Sequence, residues 1–177
     1  MASFYPYLIS SLPSLLFGMR PPFPYDILLD KCRNFIPVKD FDLLSNLPAS
    51  DSVSIDNVRQ PTVKGWIYFD TALRNELVKL RSVRRHVEAQ KYLRSDIYTG
   101  PAIAHIALAA QRNPSIQEGE KFLDGERWKA LDELSCGHYF DLDALIVYAY
   151  KLRILERWEL VRLADKKELL EKALTIN

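Results

Sequence analysis

The amino-acid sequence predicts an all-α fold, and three observations support this prediction. Apolar residues recur every three or four positions in several long segments, which is the spacing of one helix face. Six glycines against ten prolines favour helices punctuated by prolines over tight hairpins. Strand-like alternation is confined to residues 5–11 and 53–58, which could form short extended pieces. We therefore expect a compact multi-helix domain with long antiparallel helices and a proline-rich N-terminal segment.

Length and composition suit one ordinary domain. The chain has 177 residues, of which 48% are hydrophobic, so it can bury a core. We expect an N-terminal apolar segment with short helices over residues 1–48, a loop over 49–62 and a helical core over 63–177, together forming one cooperative domain. The net charge of +1 provides no general attraction to nucleic acid or to anionic lipid.

The apolar stretch at residues 4–19 resembles the central part of a signal peptide, but its flanks do not. The first basic residue, Arg20, follows the stretch, and no small-residue cleavage site precedes the prolines after it. The stretch is also shorter than the roughly 20 residues that span a bilayer. We interpret it as a buried N-terminal segment of the domain.

Two short helices are predicted in the N-terminal part. Residues 24–35 place apolar side chains on one stripe after Pro24, and residues 38–47 repeat this spacing before Pro48. The polar residues 49–62 predict a loop. A long amphipathic helix is then expected over residues 63–92, with an apolar stripe of Trp66, Phe69, Leu73, Leu77, Leu80, Val83 and Val87.

Three further helices are expected after the Gly100-Pro101 break. Alanine-rich residues 102–111 predict a closely packed helix, and Asn113 is expected to cap the helix that follows, which ends near Gly137. Asp141 is expected to cap the last helix. That helix is apolar nearly all round over residues 142–155, which predicts burial, whereas residues 166–172 are charged and are expected to be solvated.

Motifs of catalysis are missing from the sequence. It contains no P-loop, no G-x-G-x-x-G, no H-E-x-x-H and no G-x-S-x-G, so we expect no enzyme activity and no cofactor. His86, His105 and His138 have no partner four residues away that would define a metal site, and none is expected. Cys32 and Cys136 are too few for a disulfide framework, which is typical of a reducing cytoplasm. Cys136 with His138 is interpreted as a small thiol beside a helix-terminal histidine.

Residues 74–94 carry seven cations against two glutamates. The pattern favours a solvated helix face, then an acidic protein partner, and least of all nucleic acid. Should a partner bind there, the candidate protein-binding residues are Arg74, Arg81, Arg84 and Arg85.

Glu156 lies on an apolar helix face. At about 100° per residue it shares this face with Leu142, Leu145, Ala149, Leu152 and Leu160. Burying an unpaired carboxylate is costly, so we predict a cationic or hydrogen-bonding partner, with Arg127 as the first candidate. Because no second acid accompanies Glu156, we interpret it as half of a structural ion pair with Arg127 and not as a catalytic group.

Three passages carry a resemblance that spans nearly the whole chain: YPYLISSLPSLLFGMRPPFPYDILLDKCR, NPSIQEGEKFLDGERWKALDEL and FDLDALIVYAYKLRILERWEL. They resemble a bacterial family of uncharacterised proteins encoded with the subunits of V/A-type ATP synthases. The last helix, apolar through Leu155 and followed by Glu156 and Arg157, is also similar to the closing helix of the C/d subunit of these complexes. That subunit is longer than this chain, so the similarity covers only part of it.

The resemblance implies a non-catalytic accessory or C/d-like subunit that acts in stalk coupling or assembly and thereby in ion transport. Its partners would be ATP synthase subunits, the rotor stalk before others, and not nucleic acid. Its location would be cytoplasmic, or peripheral on the inner face of the membrane through the complex. The alternative is a stand-alone helical regulator that binds a protein or, less in keeping with the charge, a nucleic acid.

Overall fold

The computed structural model describes residues 4–48, 55–94 and 100–175, except for the side chains of Asp56 and of residues 165–175. This part of the chain is all-α, as predicted. None of its helices has an apolar stretch long enough to cross a membrane. The helices are α1 (Pro6–Ser11), α2 (Tyr25–Arg33), α3 (Val38–Ser45), α4 (Pro61–Arg85), α5 (Pro101–Gln111), α6 (Ile116–Leu134) and α7 (Leu142–Thr175), with 3₁₀ turns at Ile55–Asn57 and Ala89–Tyr92.

The chain divides into two compact units. Unit 1 contains Met1–Asn46 and Gly137–Asn177, and unit 2 contains Leu47–Cys136. The last helix therefore groups with the N-terminal helices, whereas the sequence-based division placed it with residues 63–136. The apolar circumference of α7 explains this grouping, because it offers surfaces to both α2 and α3. That the whole chain unfolds as one domain stays a prediction.

Unit 1 has its core along the first half of α7. Leu145, Ile146, Leu152 and Leu155 are almost fully buried there, as the apolar pattern predicted. The helices predicted over residues 24–35 and 38–47 are confirmed as α2 and α3. They contribute a buried face that includes Leu28, Cys32 and Leu44.

The first residues of unit 1 differ from prediction. Residues 6–11 form α1 and not an extended piece; Phe4 alone makes a β-bridge, with Asp141. The other predicted extended piece lies partly outside the described residues, and its described part begins with a 3₁₀ turn. The prediction that residues 4–19 are buried is also wrong, because only Tyr5 and Leu8 are buried. Helix α1 has six residues and is followed by Pro13, so it can bury only one of its faces. The residues after it are mostly exposed or half-buried.

Unit 2 is built from α4, α5 and α6. Its core is a cluster of Leu73 on α4, Ala107 and Ala110 on α5, and Leu123 on α6. Small residues let α5 and α6 approach closely: a Cβ on Gly119 would lie 3.0 Å from the carbonyl oxygen of Ala110. The predicted close packing of the alanine-rich helix is thereby confirmed.

Helix α4 ends earlier than predicted. It stops at Arg85, and His86 adopts the left-handed conformation with φ of 52°. Val83 and Val87, which the periodicity placed on the apolar stripe, are 74% and 45% exposed. The prediction of the stripe is correct through Leu80 and wrong beyond it, because the hydrophobic cluster of unit 2 extends along α4 only as far as Leu80.

The predicted cap of α7 is correct, and the predicted cap of α6 is wrong. Asp141 caps α7 as predicted, since its Oδ1 accepts a hydrogen bond of 3.0 Å from the Ala144 N–H. Helix α6 is capped by Ser115, whose Oγ accepts a hydrogen bond from the Glu118 N–H. Asn113, the predicted cap, instead donates to the carbonyls of Ala109 and Ala110 at the end of α5. The short α5–α6 connection has to provide partners both for the last carbonyls of α5 and for the first N–H groups of α6. Asn113 binds the carbonyls of α5.

Candidate functional site

A cavity of about 490 Å³ lies in unit 2, where α4 and α5 end and α6 begins. Apolar side chains form part of its lining, and Ala110 and Leu123 among them belong to the unit 2 core. Arginines, one glutamate and uncharged polar residues form the rest. The lining includes Leu77, Leu80, Arg81, Arg84, Arg85, Ala110, Ile116, Glu120 and Leu123.

The cavity is cationic. Arg81, Arg84 and Arg85 stand against Glu120 alone among its charged lining residues, so three positive charges face one negative charge. The Arg81 guanidinium lies 3.9 Å from the Glu120 carboxylate, with the two side chains 65% and 42% exposed, which makes this a weak, solvent-screened pair. Arg84 and Arg85 are exposed in the last turn of α4, where the helix dipole favours cations.

These three arginines continue the packing face of α4. Arg81 follows Leu77 by four residues and Arg84 follows Leu80 by four, so each lies on the same side of the helix as a core leucine. All three side chains are exposed, as the preferred interpretation of a solvated helix face expects, but they also line a cavity. Arg74 differs: its Nε donates a hydrogen bond of 2.7 Å to Asp70 Oδ2, and it does not line the cavity.

Arg127 is the centre of a buried ion-pair network in unit 2, which we call the Arg127 network. Its Nε donates to Asp70 Oδ1 at 2.6 Å, and one of its terminal nitrogens donates to Asp124 Oδ1 at 3.0 Å. The three side chains are between 0% and 8% exposed. With Arg74 on the other oxygen of Asp70, two arginines neutralise two aspartates.

The predicted ion pair between Arg127 and Glu156 is wrong. Arg127 uses its guanidinium on the two aspartates of unit 2, while Glu156 Oε1 accepts a hydrogen bond of 2.6 Å from the Tyr25 N–H within unit 1. Glu156 is half-buried and has a hydrogen-bonding partner, as expected, but this partner is the backbone at the start of α2. A carboxylate at a helix N-terminus is stabilised by the exposed amide groups there.

A second cavity of about 520 Å³ lies in unit 1, beside residues 20–24. Its walls are Arg20, Phe23 and the three prolines of this segment, with Glu156, Glu159 and Leu160 from α7. Glu156 is held by the Tyr25 N–H and Glu159 pairs with Arg162, so both carboxylates already have partners.

His138, Asp141 and Asp143 form a cluster at the start of α7. His138 Nδ1 lies 2.6 Å from Asp141 Oδ2 and 3.8 Å from Asp143 Oδ2. One ligand atom from each residue lies within 4.8 Å of the others, so these residues could hold a metal ion. A spacing of four residues does not detect this group, because His138 and Asp141 are three apart. Asp141 already uses one oxygen on the Ala144 N–H and the other on His138, which is a capping arrangement.

We expect this cluster to stabilise unit 1 most between about pH 4 and 6.5. The Asp141 hydrogen bond raises the pKa of His138 above its usual 6.5. Partial burial raises the pKa of Asp141, but the hydrogen bonds from His138 and the Ala144 N–H outweigh it and hold the pKa below 3.8. The histidine contribution is complete below pH 6.5 and is lost as the pH rises through the raised pKa; the aspartate contribution is complete above pH 3.8 and is lost as the pH falls through the lowered pKa.

Chemical denaturation of wild-type protein and His138→Gln across this range checks the expectation. The wild-type advantage over His138→Gln should be full below pH 6.5 and should shrink as the pH rises through the raised pKa of His138. A constant difference across the range would contradict it.

The two cysteine thiols differ in burial. Cys32 is fully buried, and burial raises its pKa to about 11, so it stays protonated near neutral pH. Cys136 is exposed, and neither cysteine is in a disulfide.

One family model matches part of the chain. The family described as "Protein of unknown function (DUF2764)" matches residues 102–172, which is less than half of the sequence. No curated protein and no solved structure matches this chain. The matched segment contains Arg127, the His138 cluster and Glu156, whereas the arginines of α4 precede it.

Proposed function

We propose that this chain is a non-catalytic accessory or C/d-like subunit of a bacterial V/A-type ATP synthase, acting in stalk coupling or assembly. In this proposal Arg81, Arg84 and Arg85 bind an acidic surface of the rotor stalk, and the chain lies on the cytoplasmic side of the membrane. The arginine-lined cavity of unit 2 is the observation that carries the binding role. The link to the ATP synthase rests on the sequence resemblance.

Arginines in this arrangement suit a protein partner. A guanidinium group can bind a carboxylate through two parallel hydrogen bonds, and arginine is enriched at protein interfaces. The pairing of Arg81 with Glu120 at the rim of the cavity is long and solvent-exposed, so a partner carboxylate can replace it at small cost.

The partners of the buried Arg127 and of the half-buried Glu156 support a structural role. Arg127 binds two aspartates, and Glu156 binds a backbone N–H. A general acid or base needs a geometry in which it can reach a substrate, whereas these groups hold helices in place. The force-bearing role of a stalk component also fits α4 and α7, which have 25 and 34 residues.

Affinity purification of the tagged full chain from its own cells in mild detergent tests the proposal. We expect mass spectrometry to find rotor and headpiece subunits of the ATP synthase in stoichiometric amounts. A variant with Arg81→Glu, Arg84→Glu and Arg85→Glu should lose them. The matched control, Lys64→Glu with Lys121→Glu and Lys129→Glu, makes the same charge change at exposed positions of unit 2 that do not line the cavity, and it should retain them.

Two results would overturn the proposal. If no ATP synthase subunit is recovered with the wild-type chain, the chain is not part of that complex, and the stand-alone helical regulator is favoured. Equal loss with the arginine and lysine variants would mean that net charge, and not this cavity, governs the contact.

A further inference from the structure

The cavity of unit 2 has apolar lining residues as well as arginines, and a purely acidic partner surface would not contact them. Beside the arginines its lining contains the apolar side chains of Leu77, Leu80, Ala110 and Leu123, together with the polar side chains of Gln111, Asn113 and Ser115. Ala110 and Leu123 are 7% and 2% exposed, while the two leucines of α4 are partly buried. The volume of about 490 Å³ lies within the range of about 300–1,000 Å³ typical of ligand-binding pockets. Leu77, Leu80 and the exposed Ile116 therefore offer the accessible apolar surface of the cavity.

We infer that this cavity binds an acidic peptide segment of a partner protein, with an apolar side chain of the segment inside the cavity and its carboxylates on Arg81, Arg84 and Arg85. This inference rests on the proposed function in its use of these arginines, and it adds the chemistry of the bound segment. It does not depend on which protein carries the segment.

Charge complementarity sets the polar half of the segment. Arg81, Arg84 and Arg85 project from one side of the last turns of α4, so carboxylates spaced along an extended or helical segment can each meet one guanidinium. Glu120 of α6, which lies 3.9 Å from the Arg81 guanidinium, adds a negative charge. A single highly charged phosphate would be repelled by Glu120, whereas separate carboxylates can avoid it.

Apolar exposure sets the other half. Ile116, the first residue of α6, lines the same cavity and is 89% exposed. One exposed isoleucine is ordinary on a protein surface, but this one lines a cavity together with Leu77 and Leu80. A small anion held by the arginines would leave these three side chains uncovered. A leucine between the acidic residues of a peptide can pack against them and remove their apolar surface from water.

Fluorescence anisotropy with the purified full chain tests the inference, using a labelled peptide of four Glu-Glu-Leu repeats. We expect saturable binding, at least about tenfold weaker binding of a peptide of Glu-Glu-Ser repeats, and no binding of Lys-Lys-Leu repeats. Arg84→Glu with Arg85→Glu should weaken binding of the Glu-Glu-Leu peptide at least about tenfold, and Ile116→Glu should weaken it as well. Lys64→Glu with Lys121→Glu is the control and should leave it unchanged. Circular dichroism confirms that each variant is folded.

Several outcomes would overturn the inference. These are the absence of saturable binding, equal binding of the leucine and serine peptides, and equal binding by the Arg84/Arg85 variant and the lysine control. Full displacement of the peptide by millimolar inorganic phosphate, together with equal leucine and serine binding, would identify an anion site only.

Peptide binding without ATP synthase recovery would leave the inference standing while the proposed complex fails. Arginine-dependent recovery without peptide binding would mean a surface charge contact that leaves the cavity empty.

Discussion

Replacing Arg127 by methionine is expected to lower the free energy of unfolding of unit 2 by about 3–5 kcal/mol. Methionine keeps much of the side-chain length and removes the guanidinium group. Asp70 and Asp124, which are 4% and 0% exposed as side chains, would then lie buried without the cation that joins them. Removing one partner of a buried ion pair costs far more than removing the whole pair, because the remaining charge cannot return to water.

Urea unfolding followed by circular dichroism gives this free energy. Arg127→Met with Asp124→Leu should recover part of the loss, since Asp70 keeps its ion pair with Arg74 and the other buried charge is gone. Lys129→Met is the matched control on the same helix: its side chain is 70% exposed and its ion pair with Glu126 is open to solvent, so the change should stay within about 0.5 kcal/mol. A loss below about 1 kcal/mol for Arg127→Met would refute the structural role of the network.

The Arg127 network also illustrates what helix periodicity can and cannot predict. The spacing of apolar residues located α2 to α7 because local sequence determines where a helix has an apolar face. It could not predict which helix packs against that face. Arg127 was therefore paired with the wrong carboxylate, although two signals were present: Asp124 stands three residues before it, and Asp70 interrupts the buried face of α4 between Trp66 and Leu73.

The cavity was unpredictable for a related reason. The sequence identified Arg81, Arg84 and Arg85 as candidates from charge alone, and placed them opposite the apolar stripe. Their true position depends on where α5 ends and where α6 begins relative to α4, which leaves Leu77 and Leu80 at the edge of the core. The spacing from Leu77 and Leu80 already places Arg81 and Arg84 on the packing side of α4, but the cavity beside them is formed by tertiary packing between segments distant in sequence, which a single helix pattern does not describe.

Truncating Leu152 to alanine is expected to lower the free energy of unfolding of unit 1 by about 2–5 kcal/mol. Leu152 is 0% exposed on α7, among the buried residues that include Leu145 and Leu155. The change removes apolar contacts and leaves a cavity that rigid neighbouring helices fill only in part. Leu160 is the matched control: the periodicity placed it on the same helix face, yet it is 68% exposed. Leu160→Ala should therefore change the stability by less than about 0.5 kcal/mol.

Thermal and urea unfolding of the Leu152→Ala and Leu160→Ala variants measure this difference, and similar losses for both would contradict the burial pattern of α7.

The same experiment tests whether the chain unfolds as one cooperative domain, because Leu152 belongs to unit 1 and Arg127 to unit 2. In a cooperative chain, Leu152→Ala and Arg127→Met shift one common transition. If the units unfold independently, each substitution moves only the transition of its own unit and leaves the other in place.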